Sequence, residues 1–232
     1  MIKTVFFDLD DTLFDHQWSR RCGFLALKAM HPVLSPVDIR DMETVHEQLI
    51  WANFEKVLDG EISLYDAMTQ RIRTLCTRFG VTLAPADIPE TVQQYDAAYR
   101  KNRRAVPGGR ELLESLREDV TIGIITNGFR DLQEEKIAIC RLSPLIDTLV
   151  ISEEIGYKKP DRRIFEAAFM KANVEPEESV YVGDSWNIDI LPAAAYGMHA
   201  VWLNRYEQPC PDPSLVREIT SYAGLDLRDL LD

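Results

Sequence analysis

The sequence predicts an α/β protein, a parallel sheet core that carries an inserted all-helical block. Three observations lead to that class. Short β-branched and aromatic runs recur about 25 to 30 residues apart with helical patterns between them, the spacing of parallel crossovers. The first such run, Val5-Phe6-Phe7, stands alone near the start and must join the same sheet. Between it and the others, residues 16 to 104 show helical periodicity and no convincing strand.

Taken in order, Val5-Phe6-Phe7 reads as a buried strand that delivers Asp8, Asp10, Asp11 and Thr12. In the helical block, Trp18, Cys22, Leu25 and Ala29 recur every three or four positions, as do Leu49, Phe54, Val57 and Leu58. Pro32 and Pro36 separate the first helix from the next. Gly60-Glu61 marks a turn, and a helix from Ser63 to Phe79 stops at Gly80, the usual glycine position past a helix end. A last helix spans Pro89 to Lys101. Pro107-Gly108-Gly109 then punctuates the chain. Strands are predicted at Val120–Ile125, Thr148–Ile151, Ser179–Val182 and His199–Leu203. The helices between them cover Arg110–Glu118, Leu132–Arg141, Ile164–Ala172 and Ile190–Tyr196, with Pro192 tolerated in a first turn. The domain boundaries that follow are 1–14 with 106–232 for the α/β core and 15–105 for the helical block.

The chain has 232 residues, 46% of them hydrophobic, enough for a full core, and its net charge is -12. That field repels a phosphate backbone, so nucleic-acid polymers are not expected partners; a small phosphorylated ligand is still open to it, because a bound divalent cation inverts the sign locally. Cys22, Cys76, Cys140 and Cys210 lie too far apart for a zinc pattern or a disulfide framework and read as reduced thiols. No apolar run approaches the roughly 20 residues that span a bilayer, and no signal-peptide pattern precedes the first strand, so no membrane association and a cytoplasmic location are expected.

Carboxylates stacked at a strand end repel one another and resist desolvation. A cation held by Asp8 and its neighbours accounts for them; the competing reading is a helix N-cap at Asp11 or Thr12. Open parallel sheets bind ligands at the carboxyl ends of their strands. Asp8, Thr126 and Asp184 each follow a predicted strand directly, and Lys159 lies in the loop after another. This set suits one chemistry: a metal neutralises a phosphoryl group, a hydroxyl and an ammonium hold its oxygens, and a carboxylate attacks phosphorus.

On these four stretches the sequence resembles the haloacid dehalogenase-like hydrolases. Asp8-Leu9-Asp10-Asp11-Thr12 is similar to their first motif, Thr126-Asn127 to the second, Lys159 to the third, and Gly183-Asp184-Ser185-Trp186-Asn187-Ile188-Asp189 to the fourth. The resemblance implies a Rossmann-like core with a helical cap domain inserted at residues 15–105. It further implies Asp8 as nucleophile and Asp10 as general acid/base, with Thr126, the Asn127 amide and Lys159 on the phosphate. One Mg²⁺ is implied, held by Asp8, the Asp10 backbone carbonyl and Asp184. Asp189 serves the metal, supports the groups around it, or caps the helix at Ile190. Lys158 is the rival for the role of Lys159, and the Lys-Pro pair favours Lys159.

More narrowly, residues 122–129, 150–156, 159–160 and 202–204 resemble bacterial pyrimidine nucleoside monophosphate 5′-nucleotidases. The implied substrate is a nucleoside monophosphate, handled by a monomer or dimer. N-acylneuraminate-9-phosphate phosphatases are similar along the same stretches, and a phosphoglycolate phosphatase or a non-catalytic phosphoryl-binding protein are the further alternatives. Asp10 argues against halide displacement, since dehalogenases of the superfamily lack an Asp at that position. Of the remaining residues, Asp11 and Asp15 read as solvated or capping, and His16 and His46 as surface. Trp18, Trp51 and Phe54 read as helical-block core in preference to a base-stacking platform, and Phe14 and Phe129 border the site.

Overall fold

The computed structural model describes residues 1–225; the last stretch of the expected core domain, 226–232, lies outside the described residues. The chain divides into two compact units, Met1–Asp15 with Arg104–Asp232, and His16–Arg103.

The first unit is the α/β core. Its strands are β1 (Thr4–Phe7), β2 (Thr121–Thr126), β3 (Thr148–Ile151), β4 (Ser179–Gly183), β5 (His199–Leu203) and β6 (Arg217–Ile219). They form one sheet in the order β3-β2-β1-β4-β5-β6, every described pairing parallel. The chain order reverses beside β1, where β2 flanks one side and β4 the other, and such a switch point opens a crevice at the strands' carboxyl ends. All four residues of β1 are buried, as a strand covered on both faces requires. Gly123 in β2 leaves room for the Phe6 ring, which a Cβ there would strike.

Helices α5 (Gly109–Leu116), α6 (Arg130–Ile139), α7 (Ser152–Ile155), α8 (Arg162–Ala172) and α9 (Leu191–Ala195) belong to this unit and follow the four helices of the other unit in chain order. Three features differ from expectation. The short α7 is absent from the sequence pattern. A π-helical turn, Trp186–Ile190, precedes α9, where the sequence pattern placed the helix start at Ile190 and no turn before it. The edge strand β6 was not foreseen because Arg217-Glu218-Ile219 is three residues long and carries no buried side chain.

The second unit is all-helical: α1 (His16–Met30), α2 (Ile39–Leu58), α3 (Leu64–Arg78) and α4 (Ile88–Lys101). Asp38 caps α2 by accepting from Arg40 N, and Ser63 caps α3 by accepting from Asp66 N. Phe24, Leu27, Met42, Ile72, Leu75 and Tyr95 make its core. His46 is buried there with Nε2 against the Tyr95 hydroxyl at 3.2 Å, which corrects its surface reading; desolvation, then Arg71 and Arg20, push its pKa well down. Trp18 and Trp51 are 40% and 37% exposed and so are not core, whereas Phe54 is buried. Period alone cannot tell the wet edge of an apolar stripe from its dry centre. Among the described residues no helix is long and apolar enough to cross a membrane.

The two points where the chain leaves and re-enters the core are laced together. Phe14 and Ala105 form an antiparallel bridge, Asp15 N donates to Arg104 O at 3.0 Å, and Val106 N donates to Leu13 O at 2.8 Å. Asp15 is buried and paired with Arg104 at 2.8 Å and Arg205 at 3.0 Å, which corrects the reading of it as solvated.

Candidate active site

The site is assembled at the carboxyl ends of β1, β2 and β4. Asp8 directly follows β1, and its N–H donates to Val182 O at 2.9 Å, which continues the β1–β4 ladder past the strand end. The next residues turn sharply. Asp11 adopts φ +62°, a conformation that Asp tolerates better than most side chains, and its N–H donates to Phe14 O at 2.7 Å. Phe14 is fully buried. Thr12 Oγ1 meets Asp184 Oδ1 at 3.4 Å, and the Asp184 backbone carbonyl accepts from Trp202 Nε1 at 2.8 Å.

Lys159 is the buried centre. Its Nζ lies 2.6 Å from Asp8 Oδ1, 2.7 Å from Asp189 Oδ1 and 2.9 Å from the Tyr181 hydroxyl, so all three ammonium donors are used. Burial alone would push this ammonium down in pKa, but Asp189 and then Asp8 outweigh it and hold the value well above the usual one. The Asn127 side chain grips the same loop: Oδ1 accepts from Lys159 N at 2.8 Å and Nδ2 donates to Lys159 O at 3.0 Å. The ammonium that joins Asp8 to Asp189 is that of Lys159.

The carboxyls bear the opposite stress. Burial raises Asp8 to about 7, with Asp189 adding to the rise and Lys159 opposing it. Asp184 stands well above the usual carboxylate range, through desolvation first and then Asp11, Asp189 and Asp8. Asp8, Asp184 and Asp189 offer ligand atoms within 4.8 Å of one another, three carboxylates against the single ammonium of Lys159. That excess of negative charge fits a bound cation, and an all-oxygen donor set suits a hard divalent ion over zinc. A cation held there would offset charge on the carboxylates and on a ligand's oxyanion.

Asp189 is held from the π-helical turn, its Oδ2 accepting from Ser185 N at 3.1 Å. It is buried and bonded to Lys159 and Tyr181 while also belonging to the carboxylate cluster with Asp8 and Asp184. Gly183 makes room for it, since a Cβ at 183 would lie 2.6 Å from Asp189 Cβ. Gly183→Ala is accordingly expected to displace Asp189, to cost about 1–3 kcal/mol of stability, and to lower kcat at least tenfold. Thermal melts beside steady-state kinetics check this, and an unchanged kcat would contradict it.

Thr126 is fully buried, with Oγ1 accepting from Gln133 Nε2 at 2.5 Å. Asp10 points to α6, where Lys136 Nζ meets its two oxygens at 2.8 and 2.7 Å. The sequence reading did not single out Gln133, Lys136 or Tyr181. Tyr181 looked like one more apolar strand residue, yet its hydroxyl is buried beside Asp189 and Lys159. The i, i+3 spacing of Gln133 and Lys136 was the available signal for the helix pair.

Comparison with known proteins gives three relatives of the same design. The chain is 30% identical over 213 residues to pyrimidine 5′-nucleotidase YjjG of Escherichia coli, covering 90% of this chain and 88% of that protein. It is 30% identical over 238 residues to a glyceraldehyde 3-phosphate phosphatase of Pyrococcus furiosus, covering 100% and 92%. Among solved structures, the putative hydrolase YfnB of Bacillus subtilis, bound to magnesium, superposes with a TM-score of 0.73 at 22% identity over 100% of this chain and 99% of that one. The family model for haloacid dehalogenase-like hydrolases matches residues 2–197, which takes in β1 through the end of α9 and every residue of the cluster around Lys159, and the chain belongs to that family.

Proposed function

We propose that the protein is a Mg²⁺-dependent phosphomonoester hydrolase that acts through an aspartyl-phosphate on Asp8, with pyrimidine nucleoside 5′-monophosphates as substrates. The observation that carries the chemistry is the Asp8 carboxyl at the end of the central strand, 2.6 Å from an ammonium and two residues from a second carboxylate. Asp8, Asp184 and the Asp10 carbonyl would hold Mg²⁺, which offsets charge on the phosphoryl oxygens.

Asp8 Oδ attacks phosphorus, the bond from phosphorus to the ester oxygen breaks, and Asp10 gives that oxygen its proton. Asp10 then takes a proton from water, whose oxygen attacks the same phosphorus, and the bonding pair returns to Asp8. Lys159 favours the ionised form of Asp8 against burial and aims it, while the Thr126 hydroxyl and the Asn127 amide receive the phosphoryl oxygens. The Asn127 side chain, engaged with the Lys159 backbone, keeps these two phosphate-binding loops in register. Residues 15–105 act as the cap that receives the leaving group.

Support for the nucleotide comes from the likeness to the E. coli 5′-nucleotidase; the likeness to the Pyrococcus phosphatase supports a second reading, a sugar or triose phosphate substrate. Trp18 and Trp51 are partly exposed aromatic side chains, and stacking of a base on an aromatic ring is worth about 1–3 kcal/mol. Values of kcat/KM for dUMP, dAMP, glyceraldehyde 3-phosphate and N-acetylneuraminate 9-phosphate separate the readings. The expected result is dUMP highest by tenfold or more. Equal values for dUMP and dAMP would remove the pyrimidine preference, and a higher value for either sugar phosphate would replace the nucleotide.

A further inference from the structure

Helix α6 presents two side chains to Asp10 from one face, and they leave little freedom there. Lys136 Nζ donates to Asp10 Oδ1 at 2.8 Å, to Asp10 Oδ2 at 2.7 Å and to Gln133 Oε1 at 2.7 Å, so all three of its donors are placed. Gln133 is buried, and its Nε2 faces Asp10 Oδ2 at 3.2 Å, Thr126 Oγ1 at 2.5 Å and Asn127 O at 3.1 Å. The Lys136 ammonium also lies 5.5 Å from the centroid of the buried Phe14 ring, on the same turn as Asp10. Its side chain is only 12% exposed. Ion pairs on protein surfaces are weak because water competes for both partners, and this pair is largely shielded from that competition.

We propose that Lys136, braced by Gln133, is a positioning residue that holds the Asp10 carboxylate aimed for water activation in the second half of the reaction. The proposal rests on the reading of Asp10 as general acid/base. Two consequences follow from the geometry. A carboxylate gripped through both oxygens keeps one rotamer, and an error of about 1 Å in such a group costs on the order of 10²-fold in rate. Through Gln133, the same clamp reaches the Thr126 hydroxyl that receives phosphate, so the acid/base group and the phosphate site are held in register by a single helical turn.

The two half-reactions place unequal demands on the clamp. p-Nitrophenolate departs without being protonated, so phosphorylation of Asp8 by p-nitrophenyl phosphate needs little help from Asp10. Hydrolysis of the aspartyl-phosphate still needs a base. Lys136→Met should therefore turn over p-nitrophenyl phosphate about 10- to 100-fold more slowly, with a burst of p-nitrophenol approaching one equivalent per enzyme. For an alkyl phosphate, whose leaving group needs a proton, the variant should be slower still and show no burst. Lys136→Arg, which keeps the charge and two parallel donors, should recover most of the rate.

The experiment is stopped-flow release of p-nitrophenol from wild type, Lys136→Met, Lys136→Arg and Asp10→Asn, with melting temperatures and inhibition by inorganic phosphate measured alongside. A burst in Lys136→Met, with unchanged phosphate inhibition and rescue by Arg, supports the clamp. Wild-type turnover in Lys136→Met overturns it, as does slow turnover with no burst or a matching loss of phosphate affinity, which would mark a merely structural lysine. Should Lys136→Met fail to fold, Lys136→Gln carries the same test. Asp10→Asn tells the two failures apart. It should lose about 10²–10⁴-fold; a wild-type rate there would bring down the acid/base reading and the clamp together, whereas a slow Asp10→Asn beside an unaffected Lys136→Met would overturn the clamp alone.

Discussion

Asp8→Asn is expected to lose at least about 10⁴-fold in kcat while the metal-free protein becomes harder to melt. The loss follows from the nucleophile: a carboxamide does not attack phosphorus, and removing an enzyme's nucleophile is among the largest single effects known. The gain follows from the electrostatics. Burial and Asp189 raise Asp8 to about 7 in spite of Lys159, so its ionised form is a net burden to the folded chain. A carboxyl whose folded value lies above its unfolded one binds more protons when folded; stability is full below about pH 4 and falls as the pH rises toward 7. At pH 8 the wild type bears that whole burden and the amide does not, a difference on the order of 1–3 kcal/mol in favour of Asp8→Asn. The check is a pair of melts, at pH 5 and pH 8 with chelator present. The variant's advantage should appear mainly at pH 8. A variant less stable than wild type at both values would mean that the Lys159 ion pair outweighs the crowding.

Exhaustive chelation should abolish turnover, and Mg²⁺ should restore it. Three carboxylates face one ammonium in this site, and at Asp184 burial, Asp11, Asp189 and Asp8 outweigh Lys159, so a divalent ion would relieve the folded state as well as serve the chemistry. The melting temperature should therefore climb with Mg²⁺ concentration, by an amount corresponding to about 2.7 kcal/mol at a hundredfold excess over Kd. Asp184→Ala should lose both the activity and the thermal response. Full activity after chelation would end the metal assignment, and a Mg²⁺-dependent melt that survived in Asp184→Ala would move the ion elsewhere.

The sheet was legible because its strands are buried on both faces and therefore read as unbroken apolar runs; Val5-Phe6-Phe7 and Ile122 through Ile125 carry that pattern with little interruption. The residues that meet at its carboxyl edge were legible for a topological reason, since one that follows a parallel strand directly is delivered to that edge whatever the loops do. Lys136, Gln133 and Tyr181 were not, because their importance depends on which helix face or strand face turns toward Asp10 and Asp189, and that is fixed by packing. Asp15 shows the same limit from the other side: nothing local marks a carboxylate as buried when its two arginines, Arg104 and Arg205, come from distant parts of the chain. The sequence was silent about β6 for want of apolar side chains, although its backbone is tied to the sheet, with Asn204 N donating to Ile219 O at 2.7 Å.

The bridge between Phe14 and Ala105 bears on how the chain finds its fold. Strand β1 must pair with β2, Thr4 against Thr121, across the whole helical unit. Such a closure is slow, because the entropy of joining distant segments is lost before their contacts form. If His16–Arg103 collapses first around Phe24, Leu27 and Leu75, its ends meet and the bridge becomes the stem of a hairpin whose loop is an entire helical bundle. The chain left to search between β1 and β2 then shrinks roughly fourfold, which lowers the closure cost by about 1 kcal/mol. Early folding of the insertion in that case removes most of the delay that its length would impose on the sheet it interrupts.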